Sequence, residues 1–406
     1  MAREWDIVVY GATGFTGRQT AAYLAEKAPA ELRLAIAGRN EAGLRTLQQS
    51  LNRPNVGVIC ADSGDPASVD AMVASTRVLA TTAGPFALYG TPVVEACVRH
   101  KTHYCDITGE TPWVRDMIDA HHEAAEADGT RIVPLCGFDS IPADIGTWAL
   151  VQHVREVLGT APRRVKGWYR LRGGLNGGTL ASALNLNASG EVRRLARPFL
   201  LSPGYEPSRE EKAESRDPRQ ATRDPHWGWC TPFVMGAVNT RVVRRTAFLL
   251  SGGPRAYLPE FTYQEYQGSG GGQSRWAATR DVMILGSLLG LMSQGWGRSL
   301  LKSVGPKPGR GPAQKTIDTG GFRLDLVAET SDGQTAWAAV KGKGDPSNTI
   351  TVTCLAESAL CLALEEEGLP SRGGVLTPAV AFGDALLKRL EGTCLTVRVG
   401  LEGPRR

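Results

Sequence analysis

Gly11, Gly14 and Gly17 follow one another at three-residue steps, between the apolar hexapeptide Trp5–Tyr10 and a stretch of helical composition reaching about Glu26. Glycines in that position let the backbone turn tightly. They also let a pyrophosphate approach the amides of a helix N-terminus, where the helix dipole favours negative charge. The strand–turn–helix context is what raises such a pattern above an ordinary glycine-rich turn. Gly11, Thr13, Gly14, Phe15, Thr16 and Gly17 are therefore predicted to cradle a dinucleotide. The second strand ends Ala37-Gly38-Arg39-Asn40. An NAD site places an acidic residue here for the ribose 2′-hydroxyl. Arg39 is instead a bidentate donor suited to a 2′-phosphate, so NADPH is predicted over NADH, with Asn40 beside it. Asp62, after the third strand, is expected near the adenine amino group. Ala83, Gly84 and Pro85, after the fourth, are expected near the nicotinamide ribose.

Ligands of such a sheet bind outside the carboxyl ends of its strands. There the sequence supplies Asp106 and Glu110 after a fifth strand, and Asp139, Ser140 and Asp144 after a sixth. A carboxyl whose pKa is raised by desolvation is equipped to donate a proton. The same residue types also cap helices, as Asp139-Ser140 before Pro142 and Thr108 with Glu110 would do. Tyr89 is a second candidate donor, because a phenol hydrogen-bonds a carbonyl on which negative charge develops. The catalytic candidates are thus Tyr89, Asp106, Glu110 and Asp139. Cys97, His100, His103, Cys105 and Asp106 do not have the spacing of a closed zinc site, and no metal is predicted. The sequence has no GxSxG, Walker A or HExxH motif, which removes support for hydrolase and kinase readings.

The elements that must position these residues alternate. Strands are predicted at 5–10, 32–37, 56–60, 77–82, 103–107 and 130–135, with helices between them, which is the pattern of a doubly wound parallel sheet. Past residue 150 the pattern becomes mixed. A strand is expected at 165–172, a helix at 187–197, a long surface segment at 203–228 and a hairpin turning at Ser331-Asp332-Gly333. Another strand is expected at 349–353 and helices at 355–367 and 377–390. The predicted organisation is α/β: a Rossmann-type doubly wound domain at 1–150, an α+β domain at 151–373, and a segment at 374–406 returning to the first domain. The 406 residues carry a net charge of +5 that is unevenly spread. Residues 1–150 hold 12 Lys/Arg against 18 Asp/Glu, and the remainder 34 against 23. A basic second part suits an anionic partner. The basic residues follow no nucleic-acid motif, so no nucleic-acid partner is predicted. The eight cysteines form no CxxC and read as reduced core residues of a cytoplasmic protein, and no signal peptide is predicted. The apolar run 282–292 is too short to span a bilayer. It is expected to be a buried or homodimer-interface helix, with a peripheral membrane or acyl-chain contact as the other reading.

These motifs together resemble the saccharopine dehydrogenase-like oxidoreductases, and within them the trans-acting enoyl reductases. The resemblance rests on residues 10–17, 37–39, the 84–90 loop, 106–110 and 137–142. It continues through Gly177-Gly178-Thr179, 239–245, 306–312, 374–378 and 383–387. It implies a Rossmann domain with an inserted α+β domain and NADPH-dependent reduction of an α,β-unsaturated acyl thioester in lipid or polyketide assembly. The acyl group would be carrier-protein bound, with a polyketide synthase as partner. Arg244 and Arg245 are then assigned to the acidic carrier. Two other readings stand beside it: a saccharopine dehydrogenase-type carbon–nitrogen oxidoreductase, and a non-catalytic NADPH-binding scaffold at a lipid surface.

Overall fold

The computed structural model describes residues 3–403 except Leu175, residues 270–273, Pro308 and Arg310. The first half is built as the alternation predicts. β1 (Trp5–Tyr10), α1 (Phe15–Lys27), β2 (Leu34–Gly38), α2 (Glu41–Ser50), β3 (Gly57–Cys60), α3 (Pro66–Ala74) and β4 (Thr76–Thr81) follow in order. Two helices, α4 (Phe86–Tyr89) and α5 (Thr91–His100), lead to β5 (His103–Asp106), and α6 (Thr111–Ala127) leads to β6 (Arg131–Val133). β2 is buried at every position, as a strand of a parallel sheet covered on both faces must be. Local chemistry starts the helices. Asn40 Oδ1 accepts from the Gly43 amide at 3.0 Å and Asp65 Oδ1 from the Ala67 amide at 3.1 Å, each satisfying a donor that the helix leaves open.

α7 (Ile141–Leu158) carries the chain to a second sheet, which begins with β7 (Arg164–Arg172). Then come α8 (Gly177–Ala188), α9 (Val192–Leu195), α10 (Arg209–Glu214), β8 (Thr222–Asp224), β9 (Gly228–Pro232), α11 (Gly236–Leu250) and β10 (Thr262–Gly268). α12 (Arg275–Ser293), α13 (Gly295–Val304) and α14 (Gln314–Thr319) precede the hairpin of β11 (Gly321–Glu329) and β12 (Thr335–Lys343). Gly333 closes that hairpin with φ +86°, a left-handed conformation that favours glycine. The chain ends with α15 (Thr351–Leu364), β13 (Gly374–Val375), α16 (Pro378–Phe382), α17 (Asp384–Glu391) and β14 (Leu395–Gly400).

The first sheet has the order β13-β6-β5-β4-β1-β2-β3 and is parallel throughout. Its order reverses between β1 and β4, which is where a doubly wound sheet binds ligand. The second sheet has the order β14-β12-β11-β7-β10-β9-β8, with only β7 and β10 parallel. α7 and α11 pack on one of its faces. A single apolar core runs from Ile7, Ile36 and Val78 of the first sheet to Leu324, Leu326 and Tyr169 of the second.

Several expectations are corrected. The boundary at 150 falls inside α7, a buried helix packed on β11, β12 and β14. The chain returns to the first sheet before 374: a π-turn at Pro346–Ile350 runs into α15, which packs on α1, β4 and β5. The final strand β14 pairs with β12 in the second sheet, so 374–406 is shared between the two units. The strand expected at 349–353 is helical, because α15 is buried nearly all round and loses both the amphipathic period and the usual penalty on β-branched residues. The segment 203–228 contains α10 and β8, with Glu211, Ser215 and Asp224 buried. The helix expected at 187–197 is two helices, α8 ending at Ala188 and the short α9. The run 282–292 is largely exposed on α12 rather than buried.

Candidate functional site

The glycine turn has no room for side chains. A Cβ on Gly17 would lie 2.2 Å from the Gly11 carbonyl oxygen, and one on Gly11, at φ +79°, 3.0 Å from the Ala83 amide nitrogen. No side chain caps α1 and no acid stands in its first turn, so the first-turn amides from Phe15 to Gly17 are left for an anion. Thr13 packs against Gly38 and Gly43, between the end of β2 and the start of α2. Gly311 sits over Phe15, whose ring lies 2.1 Å from where a Cβ on Gly311 would be. The Phe15 side chain is thus a closing contact with the second unit, while its backbone belongs to the cradle.

Arg39 is exposed beyond β2 and makes no hydrogen bond or ion pair with a described residue. It stands close enough to the Tyr10 phenol to pull its pKa down, against burial, which pushes it up, and against the nearby Asp62 carboxylate. Tyr10, Arg39 and Asp62 therefore gather at the ends of β1, β2 and β3. Asp62 Oδ1 accepts from the Gly64 amide at 2.9 Å. Asn40 uses Oδ1 to cap α2, which leaves its Nδ2 without a hydrogen-bond partner among the described residues. Ala83, Gly84 and Pro85 pass over Gly11, with the Ala83 amide donating to Thr81 Oγ1 at 3.2 Å. This cradle of glycines, free helix amides and an unpaired guanidinium fits a dinucleotide bearing an extra phosphate.

The acid candidates separate sharply. Asp106 is fully buried and accepts from the Tyr104 hydroxyl at 2.6 Å and the Thr108 and Leu135 amides at 2.9 Å each. Burial raises its pKa to about 7. All its bonds tie the loops after β5 and β6 together, so it is a structural clamp. Glu110 accepts from the Phe86 and Ala87 amides at 2.9 and 3.1 Å and from Ser182 Oγ at 2.7 Å. Its carboxylate caps α4 and is not exposed to a substrate as a donor. Asp144 is bound by Thr246 Oγ1 and the Ala379 amide, and stitches α7 to α11 and α16. Tyr89 is 40 % exposed at the end of α4, with no described partner to orient it. Asp106, Glu110 and Asp144 thus spend their carboxyl oxygens on contacts within the fold, while Tyr89 keeps an accessible phenol.

Asp139 is different. Its carboxyl has no hydrogen-bond partner among the described residues, and burial pushes its pKa up to about 6. Oδ2 faces Gly109, where an added Cβ would be 3.6 Å away, and the Met235 methyl approaches the same point at 3.9 Å. The neighbouring Ser140 Oγ is also buried without a partner. Tyr169 of β7 lies across from Asp139, near enough for its charge to raise the Tyr169 phenol further. Tyr169 stacks on Phe233 with centroids 4.2 Å apart and meets Phe138 edge-on at 6.1 Å. Behind it, Asn239 Nδ2 donates to Glu265 Oε2 at 2.9 Å and Tyr263 to Glu265 Oε1 at 2.6 Å, and burial raises the Glu265 pKa to about 8. Tyr169, Phe233 and Met235 were not anticipated. The signal for Tyr169 was the alternation of β7, which puts Val165, Gly167 and Tyr169 inward. Nothing local marks Phe233 or Met235.

Arg244 and Arg245 are buried, contrary to the carrier assignment. Arg244 donates to the carbonyls of Pro198 and Tyr263 at 3.0 and 2.7 Å. Arg245 donates to those of Leu201 and Val375 at 2.5 and 2.6 Å. Burial pulls both pKa values down to about 9. The reason is that 195–201 folds over α11 and its carbonyls need donors.

Comparison with known proteins fits this geometry. Residues 7–133 match the family described as "Saccharopine dehydrogenase NADP binding domain". The trans-acting enoyl reductase of Mycobacterium tuberculosis strain H37Rv is 36% identical over 419 residues, covering 96% of both chains. That of Mycobacterium leprae is 34% identical over 417 residues, again covering 96% of both. The fold is similar to apo saccharopine dehydrogenase (L-Glu forming) from Saccharomyces cerevisiae, with a TM-score of 0.53 and 15% identity over 97% of this chain and 99% of that one.

Proposed function

We propose, for a chain that belongs to the trans-acting enoyl reductase family, that it reduces the carbon–carbon double bond of an α,β-unsaturated acyl thioester. The chain is an NADP-dependent oxidoreductase with a saccharopine dehydrogenase-like fold. The observation that carries the proposed reading is the apolar setting of Asp139. Phe138, Tyr169, Phe233 and Met235 gather around it, and Arg244 and Arg245 of α11 are tied to backbone carbonyls. An apolar acyl chain suits such surroundings, whereas an amino-diacid would need cations to pair its carboxylates.

Gly11, Gly14 and Gly17 with the first turn of α1 would hold the pyrophosphate, and Arg39 the 2′-phosphate. NADPH, when bound, supplies the hydride that adds at the β-carbon. Asp139 holds a proton on its carboxyl up to about pH 6 because burial disfavours the charged form. Passing it to the α-carbon completes the saturated bond. Phe233 and Met235 exclude water from that transfer. The relatives' trans-acting name supports a substrate carried on a separate polyketide synthase-type protein. A cytoplasmic setting is part of the same proposal.

The test is NADPH consumption against enoyl-pantetheine and carrier-bound enoyl thioesters, with NADH in parallel and saccharopine as the competing substrate. Turnover of an enoyl thioester with NADPH preferred is the expected result. Turnover of saccharopine instead moves the chain to carbon–nitrogen chemistry.

A further inference from the structure

α12 and α13 form a helical hairpin whose outer side no described residue covers. Of 19 residues in α12 only Ala278 and Met292 are buried, and of 10 in α13 only Gly297. The hairpin is nevertheless a built element. A Cβ on Gly297 would lie 2.1 Å from the Leu291 carbonyl oxygen, so the turn is tight. Met292 and Leu301 pack inward on Leu180 and Leu184 of α8. Outward, Trp276 is 86% exposed, Ile284 61%, Leu288 44%, Trp296 67%, Leu300 47% and Val304 72%. Trp296, Leu300 and Val304 recur at four-residue steps and so share one face of α13, with Arg298 and Lys302 on the other.

We propose that this hairpin seats the protein on the surface of an anionic lipid bilayer. Two features select that occupant. Residues 274–307 carry five cations, Arg275, Arg280, Arg298, Lys302 and Lys307, against one acid, Asp281. The apolar faces are flanked by cations and led by a tryptophan near the start of each helix, the composition of a helix lying in the headgroup boundary. A second copy on the same face would bring five cations against five. The inference does not depend on the enoyl reductase reading. It adds a consequence: α8, on which the hairpin rests, reaches the cofactor-side loop through Ser182 and Glu110, so docking would hold that loop close to the lipid surface.

The experiment is co-sedimentation of the full chain with vesicles of phosphatidylcholine alone and of phosphatidylcholine with phosphatidylglycerol. Binding to the anionic vesicles, absent on neutral ones and weakened by salt, is expected. Ile284→Glu and Leu288→Glu should each weaken it by about tenfold or more, and Arg298→Glu with Lys302→Glu by a similar factor. These side chains are exposed, so NADPH affinity serves as the folding control and should not change. Failure to bind anionic vesicles overturns the proposal, as does binding indifferent to these substitutions. A dimer in sedimentation analysis that Ile284→Glu dissociates, without vesicle binding, would assign the face to a second copy instead.

Discussion

Ser182 of α8 donates a 2.7 Å hydrogen bond to Oε1 of Glu110, the carboxylate whose oxygens also receive the Phe86 and Ala87 amides. One side chain of the first unit thereby holds both the start of α4 and the first helix of the second unit's insertion. Removing it leaves the buried Phe86 amide and the more exposed Ala87 amide without this acceptor. Glu110→Ala should lower stability by about 1–3 kcal/mol and Ser182→Ala by about 1 kcal/mol, read by denaturant unfolding. The pH–rate profile of whatever activity survives in Glu110→Gln should match the parent. A profile that loses a titration would return Glu110 to the proton donors.

Arg39 is the one predicted cofactor contact whose side chain carries the choice between two cofactors. Arg39→Ala should weaken NADPH binding by about 10- to 100-fold, the value of one bidentate charge-assisted contact. NADH binding should be nearly unchanged. Fluorescence titration of both cofactors checks this, and equal loss of both would mean that Arg39 serves the fold rather than the 2′-phosphate.

Asp139 carries two predictions with opposite signs. If its neutral carboxyl supplies the proton, kcat/KM should fall as pH rises above about 6. Asp139→Asn should lower kcat by about 100-fold or more while sparing NADPH binding. Stability should move the other way. The folded carboxyl keeps its proton to about pH 6, against an ordinary value of 3.8, so the folded state holds more protons across that window. Stability therefore falls as pH rises from about 4 to 6 and is level above it. Asp139→Asn removes that loss and should gain about 1–3 kcal/mol at pH 7. A variant that is inactive and less stable at neutral pH would mark Asp139 as structural.

Arg244→Met removes both donors from the Pro198 and Tyr263 carbonyls inside the protein. A loss of about 2–4 kcal/mol in unfolding free energy is expected. The folded fraction should still bind NADPH, and its KM for a carrier-bound substrate should be unchanged. A raised KM for the carrier-bound substrate with stability intact would restore the surface assignment.

The features legible in the sequence were those made by neighbours along the chain. The strand, the three glycines and the first turn of α1 occupy one short contiguous segment, so spacing alone specifies the cradle. Arg39 was legible for the same reason, since the end of β2 and the start of α2 adjoin in sequence. The alternation that makes the first sheet parallel is likewise a local pattern of strand and helix lengths. Of the readings for 282–292 the fold excludes only burial within the chain, because an apolar run says that cover is needed and not where it comes from.

Among the acids, only the tertiary structure made the distinction. On sequence, Asp106, Glu110, Asp139 and Asp144 are alike in lying at or beyond the carboxyl ends of β5 and β6. Glu110 is taken by Ser182, 72 positions away, and Asp144 by Thr246 and Ala379, more distant still. Asp139 keeps an unpaired carboxyl because no donor of a described residue reaches it where Gly109, Tyr169 and Met235 close around it. Burial and partnering depend on what the folded chain brings from far along its length. For that reason the sequence alone determined the cofactor and the sheet, while the fold decided which carboxyl is left without a partner.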